Sequence, residues 1–180
     1  MQMRKFLISI YACILFSPVI FAQFQYEVLP DKDGSKLLKG IISKELLLND
    51  STYSKWYAEN EKGFTPNTEA VAALKKNSTT IQLLVFLGTW CGDSKAIIPK
   101  FYSLLDAAGF PLTSVTLIAT DRDKKTLSHL AEALGIKNVP TIMVMKEGKE
   151  MGRVVEYGKY GMFDKELGEI INSIEPNKSN

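Results

Sequence analysis

The chain has 180 residues, of which 46% are apolar and 23% charged, and its formal net charge is +2. This composition is that of an ordinary globular domain and excludes disordered, collagen-like and coiled-coil proteins. The two excess positive charges, Arg4 and Lys5, lie close to the N-terminus. The rest of the chain is therefore balanced in charge, and nothing in it indicates a nucleic-acid partner.

Residues 1–22 have the three parts of an export signal. Arg4 and Lys5 precede an apolar core from Phe6 to Phe21, and the small residue Ala22 stands before Gln23. We expect this signal peptide to be removed and the protein to be exported, to the periplasm or as a secreted protein. The alternative is an uncleaved anchor that attaches the protein to a membrane, although the apolar core is short for a bilayer span.

Removal of the signal would take Cys13 with it and leave Cys91 as the single cysteine. Such a chain cannot form an internal disulfide in the oxidising compartment to which it is sent. One cysteine and one histidine, His129, also fall short of the ligands that a zinc site needs, so we expect neither metal nor cofactor.

Residues 23–66 are predicted to form an N-terminal extension that contains a helix over 41–59, and a further helix is predicted over 67–76. The next elements are predicted, in chain order, as a strand at Ile81–Leu87, a helix with an apolar stripe from Ile97 to Ala108, and a strand at Val115–Ala119. A helix capped by Asp121–Asp123 and closed by Gly135 is predicted to follow. The last predicted elements are two strands, Ile142–Met145 and Arg153–Tyr157, around a turn at Gly148, and a helix from Phe163 to Ile174. A polar tail follows at 176–180.

The order strand, helix, strand requires a right-handed parallel crossover, whereas the short turn at Gly148 makes the last two strands antiparallel. The sequence therefore predicts an α/β fold with a mixed sheet flanked by helices.

Cys91 lies where the first predicted strand ends and the long helix begins. Free backbone N–H groups and the helix dipole stabilise a thiolate at such a position. Lys95 adds a positive charge nearby, and Asp93 opposes it. Cys91 is therefore the candidate nucleophile of the chain.

The segment around Cys91 resembles the active site of the thioredoxin superfamily. Trp90 precedes the cysteine, Gly92 follows it, and Lys95 and Pro99 stand at the family's spacing. The resemblance covers about residues 67–175, and it implies a thioredoxin-like domain over that range.

A second segment, Val139-Pro140-Thr141, resembles the family's cis-proline loop. In the family this loop lies opposite the active cysteine and pairs with the backbone of the bound substrate. The resemblance implies that Pro140 is cis and faces Cys91, with Val139 free to bind an extended substrate segment.

Two residues depart from the family's pattern. Ser94 stands in place of the second, resolving cysteine, and Val85 stands in place of a buried carboxylate. Because residues i and i+3 share a helix face, we expect the Ser94 hydroxyl to lie near the Cys91 sulfur and to donate a hydrogen bond to the thiolate. A hydroxyl cannot close a disulfide.

The resemblance implies thiol–disulfide exchange through Cys91, as reduction or isomerisation of disulfide-bearing protein clients, with an external thiol as reductant. The rival interpretation is a redox-inactive module that binds peptides between Trp90 and the Val139–Pro140 loop. A peroxidase is less favoured, because Gly88 occupies the position where peroxidatic relatives carry a threonine.

Overall fold

A six-stranded mixed sheet forms the centre of the computed structural model, which describes residues 26–174. The predicted signal peptide and the predicted tail lie outside the described residues. The strands are β1 (Tyr26–Pro30), β2 (Lys36–Ile42), β3 (Gln82–Leu87), β4 (Val115–Ala119), β5 (Thr141–Lys146) and β6 (Lys149–Val155). They lie in the order β1-β2-β4-β3-β5-β6, with β3 and β4 parallel and every other neighbouring pair antiparallel.

Helices cover both faces of this sheet, as the sequence predicts. They are α1 (Lys44–Asn49), α2 (Ser51–Glu61), α3 (Thr68–Lys76), α4 (Gly92–Ala108), α5 (Leu130–Ala133) and α6 (Phe163–Asn172). None of the helices within residues 26–174 is long and apolar enough to cross a membrane.

Strand β3 divides the core in two because successive side chains of a strand point to opposite faces. Leu83, Val85 and Leu87 belong to the larger cluster, which α2, α3, α4 and α6 complete. Phe86 points the other way, into a smaller cluster with Ala131 of α5 and with Val139. This buried central strand fixes the position of the turn that follows it.

Helix α4 begins and ends where the sequence predicts. Cys91 is its N-cap residue, and Gly109 ends it in the left-handed conformation at φ 60°. The buried face comprises Ser94, Ile97, Ile98, Pro99, Phe101, Tyr102, Leu104, Leu105 and Ala108. The strand predicted at Val115–Ala119 and the helix predicted over 67–76 are likewise confirmed.

The prediction of one long helix over 41–59 is wrong. Ile42 ends strand β2, and the extended backbone of Asp50 separates α1 from α2 while its carboxylate caps α2 through the N–H of Thr52. The N-terminal extension also contains the hairpin of β1 and β2, which joins the central sheet through β4. The local helical pattern does not decide the conformation of Ile41 and Ile42, because both residues pair with the distant strand β4.

The helix expected after Asp121 is also shorter than predicted. The Asp121 carboxylate accepts hydrogen bonds from the N–H groups of Asp123 and Lys125 and pairs with Lys39 at 2.8 Å, so it closes a turn instead of capping a helix. A short 3-10 helix, Leu127–His129, then leads into α5.

Candidate active site

Cys91 is half-buried at the first turn of α4, directly after β3. Its N–H donates a hydrogen bond to the carbonyl of Gly88 at 2.9 Å, and its carbonyl accepts the N–H of Lys95 at 3.0 Å. It is a free cysteine. The fold therefore places the thiol at the N-terminus of a 17-residue helix, the positive end of the helix dipole.

The loop before β5 lies against this thiol. Cys91 Sγ donates a hydrogen bond to the carbonyl of Val139 at 3.1 Å, and the peptide bond between Val139 and Pro140 is cis. The loop is fastened by the Thr141 hydroxyl, which donates to the carbonyl of Asn138 at 2.7 Å. The two segments singled out in the sequence, about 50 residues apart, thus meet at one site.

Ser94 is fully buried, but it does not make the expected contact. Its hydroxyl oxygen accepts a hydrogen bond from the N–H of Gly88 at 3.1 Å, and within residues 26–174 no hydrogen bond joins it to Cys91. Side chains in the first turn of a helix lean toward the preceding turn, which here supplies the Gly88 N–H. Ser94 therefore fixes the strand-to-helix turn, and the thiol turns to Val139 instead.

Trp90 forms one wall of the site and is half-buried. Its indole Nε1 donates a hydrogen bond to the carbonyl of Thr120 at 2.9 Å. A Cβ atom on Gly88 would lie only 2.6 Å from Trp90 Cε2, so a larger residue at this position would displace the indole. Gly88, the residue that argues against a peroxidatic site, therefore leaves the space that the Trp90 indole occupies.

The predicted supporting residues lie around the first turn of α4. Gly92 is exposed, Asp93 and Lys95 are half-buried, and no atom would meet a Cβ on Gly92 within 4 Å. Lys95 faces a polar groove that it shares with Trp90.

Tyr157, which the sequence analysis did not single out, also belongs to this site. Burial raises the pKa of its phenol, and the neighbouring Asp93 carboxylate and Cys91 raise it further. Tyr157 follows β6, the strand beside the cis-proline loop, and Glu156 N–H donates to the carbonyl of Pro140 at 2.7 Å. Its position after a strand that reaches the site edge is the signal that could have identified it.

The part of the chain that the structure describes contains no group of three or more His, Cys, Asp or Glu side chains arranged to hold a metal ion. The side chain of His129 is 90% exposed and contacts Glu132. The position of the family's buried carboxylate is held by Val85, which is fully buried in the larger core cluster.

The family model for thioredoxin matches residues 65–167 of the chain. The chain belongs to the thioredoxin family. This membership supports a general thiol–disulfide redox function, and it agrees with the mixed sheet, the helix-start cysteine and the loop described above.

Individual thioredoxins are similar to part of the chain. Thioredoxin H2-1 from Oryza sativa is 30% identical over 104 residues, which are 58% of this chain and 67% of that protein. The thioredoxin of Chlamydia muridarum is 34% identical over 73 residues, 41% of this chain and 66% of its own length. The chain thus spans about two thirds of the length of these two relatives.

Among solved structures, a protein of unknown function from Pseudomonas aeruginosa is similar with a TM-score of 0.53 and 14% identity. The match covers 72% of this chain and 89% of that one. At this identity the likeness concerns the fold alone.

Proposed function

We propose that this protein is an exported thiol–disulfide exchange enzyme that acts through a single nucleophile, Cys91. The observation that carries the proposal is the hydrogen bond from Cys91 Sγ to the Val139 carbonyl, because it places a helix-start thiol against the loop that would hold a substrate backbone.

In the first step the Cys91 thiolate attacks one sulfur of a client disulfide. A new bond forms between Cys91 and the client, the client's own S–S bond breaks, and the departing client thiolate takes a proton from solvent. The Val139 carbonyl loses its hydrogen bond when the thiol ionises. The N–H of Val139 has no hydrogen-bond partner within residues 26–174, so both backbone groups are available to an extended client segment.

The second step must come from outside the chain, because Ser94 cannot attack the mixed disulfide. If a further thiol of the client, different from the one released in the first step, attacks the client sulfur of the mixed disulfide, the products are a client with a rearranged disulfide and free Cys91, with no net redox change. If an external thiol attacks instead, a second molecule of the same thiol is needed to complete the reduction. One client disulfide and two external thiols then give a client dithiol and one disulfide of the external thiol.

The proposal of export is supported by residues 1–22, with Arg4 and Lys5 before an apolar core. N-terminal sequencing of the protein from its native host is the direct measurement. A first residue of Gln23 agrees with a cleaved signal, whereas an intact Met1 on membrane-associated protein indicates an anchor.

Turnover separates the enzyme from the redox-inactive binding module. A Cys13→Ser background leaves Cys91 as the single thiol whether or not the signal is removed. With a peptide that contains one disulfide and an excess of a small thiol, we expect many moles of peptide dithiol per mole of protein, above the uncatalysed rate. Cys91→Ser in the same background should give only that uncatalysed rate. Peptide binding without turnover in the parent protein would favour the binding module.

A further inference from the structure

The N-terminal hairpin lies outside the range matched by the family model, yet it reaches the active site at two points. The N–H of Leu38, in β2, donates a hydrogen bond to the Thr89 hydroxyl at 3.1 Å, two residues before Cys91. The second contact comes from Asp31, in the turn between β1 and β2, which is closed by a hydrogen bond from Asp31 N–H to the carbonyl of Ser35.

Asp31 holds a single arginine in a defined orientation. Arg122 Nε and Nη2 donate to the two carboxylate oxygens at 2.6 and 3.0 Å. The Asp31 side chain is only 3% exposed, and the arginine hydrogen bond keeps the pKa of this carboxyl below its usual range. Two parallel hydrogen bonds fix the plane of a guanidinium, whereas a single contact to a point charge leaves that plane undetermined.

The oriented guanidinium lies over the indole that borders the thiol. The Arg122 Cζ atom is 5.2 Å from the centre of the Trp90 ring, within the range of a cation–π contact. Gly88 and the Thr120 carbonyl hold the same indole from its other sides. Asp31, Arg122 and Trp90 also line one polar groove of about 140 Å³, together with Lys95.

We propose that the N-terminal hairpin is part of the active site, with Asp31 as a positioning residue. Asp31 acts through Arg122, which holds the Trp90 indole in place beside Cys91. The fixed indole is then in position for an incoming client disulfide. This inference rests on the proposed function for its catalytic consequence. Its structural part, the fixed indole, does not depend on turnover.

The test compares Asp31→Asn with the parent in a background carrying Trp56→Phe and Cys13→Ser, where Trp90 is the single tryptophan. We expect a shifted Trp90 emission and stronger quenching by acrylamide. The rate of exchange between Cys91 and a peptide disulfide should fall by about two- to fivefold, the rate equivalent of one exposed cation–π contact. The rate of alkylation by iodoacetamide, which is too small to need the indole wall, should change much less.

Two further variants test whether the effect passes through the arginine. Arg122→Lys keeps the charge but lacks the planar fork, so it should reproduce the effect of Asp31→Asn. In an Arg122→Gln background, Asp31→Asn should have no further effect on exchange or quenching. Glu150→Gln is the matched control, because it removes another bidentate arginine–carboxylate pair, Glu150 with Arg153, on the β5–β6 hairpin.

Unchanged Trp90 quenching and peptide exchange in Asp31→Asn, with only a lower urea midpoint, would overturn the proposal and leave Asp31 a purely structural residue. A full effect of Asp31→Asn in the Arg122→Gln background would overturn it as well. If the parent protein itself shows no exchange, the proposed function fails, while the fluorescence measurements still decide whether Asp31 positions Trp90.

Discussion

Gly88→Ala tests the packing beneath the active-site tryptophan. A Cβ atom at this position would lie 2.6 Å from Trp90 Cε2 and 2.8 Å from Trp90 Nε1. The indole has little room to retreat, because its Nε1 is hydrogen-bonded to the Thr120 carbonyl and Arg122 lies over its ring. Overpacking of this kind costs about 1–3 kcal/mol, and loss of the indole hydrogen bond adds about 0.5–1.5 kcal/mol.

We therefore expect Gly88→Ala to lower the free energy of unfolding by about 1.5–4.5 kcal/mol. Urea unfolding followed by far-UV circular dichroism measures this change, and Trp90 fluorescence in a Trp56→Phe background reports the displaced indole. The exchange rate of Cys91 should fall as well, because the Gly88 carbonyl and N–H hold Cys91 and Ser94.

Gly92→Ala is the matched control within the same site. No atom would lie within 4 Å of the new Cβ, and Gly92 is the first residue of α4, where alanine has the better helix propensity. We expect its stability to be unchanged or slightly higher. If Gly88→Ala changes stability by less than about 0.5 kcal/mol, the level of an ordinary surface substitution, and leaves Trp90 emission unchanged, the packing argument is refuted.

Three further predictions concern other contacts of the site and the sheet. Burial alone would raise the pKa of Asp121, but hydrogen bonds from a lysine and two backbone N–H groups lower this pKa overall. The Asp121 carboxylate therefore stabilises the folded protein above about pH 4. This stabilisation is lost as the pH falls through the lowered pKa. Urea midpoints between about pH 7 and pH 3 should therefore fall more steeply for the parent than for Asp121→Asn, and parallel curves would contradict this. Ser94→Cys should form a disulfide with Cys91 on oxidation, with a mass loss of two hydrogens, because the two positions are one helical turn apart; two persistent free thiols would exclude that geometry. Asp93→Asn should lower the raised pKa of Tyr157, as followed by its ring signals in an NMR titration, and an unchanged value would show that the Asp93 carboxylate does not contribute to it.

The sequence predicts those parts of the fold whose signals are local. Strand β4 and the ends of α4 follow from continuous apolar runs, helical spacing and the glycine at 109, and all of these act within a few residues of one another. The position of Cys91 at a helix start is predictable for the same reason. The meeting of Cys91 with Val139 could be expected only through the resemblance to a family, since 48 residues separate them.

Contacts between distant segments account for what the sequence analysis missed. Strand β1 has mostly exposed side chains and becomes a strand by pairing with β2, so it lacks the apolar run of a buried strand. The Asp31–Arg122 pair joins residues 91 positions apart, and no local pattern indicates it. The contact of Ser94 with Gly88 instead of Cys91 depends on side-chain direction at the start of a helix, which spacing alone does not determine.

A covalent intermediate on Cys91 would distinguish exchange through a single nucleophile from peptide binding without exchange. Reduced protein in the Cys13→Ser background is mixed with a peptide that contains one disulfide, quenched with acid at short times, digested and analysed by mass spectrometry. We expect a peptide adduct through a disulfide at Cys91, which disappears on addition of a small thiol with recovery of free Cys91. Absence of any such adduct, while the peptide remains oxidised and Cys91 remains a free thiol accessible to iodoacetamide, would contradict this expectation.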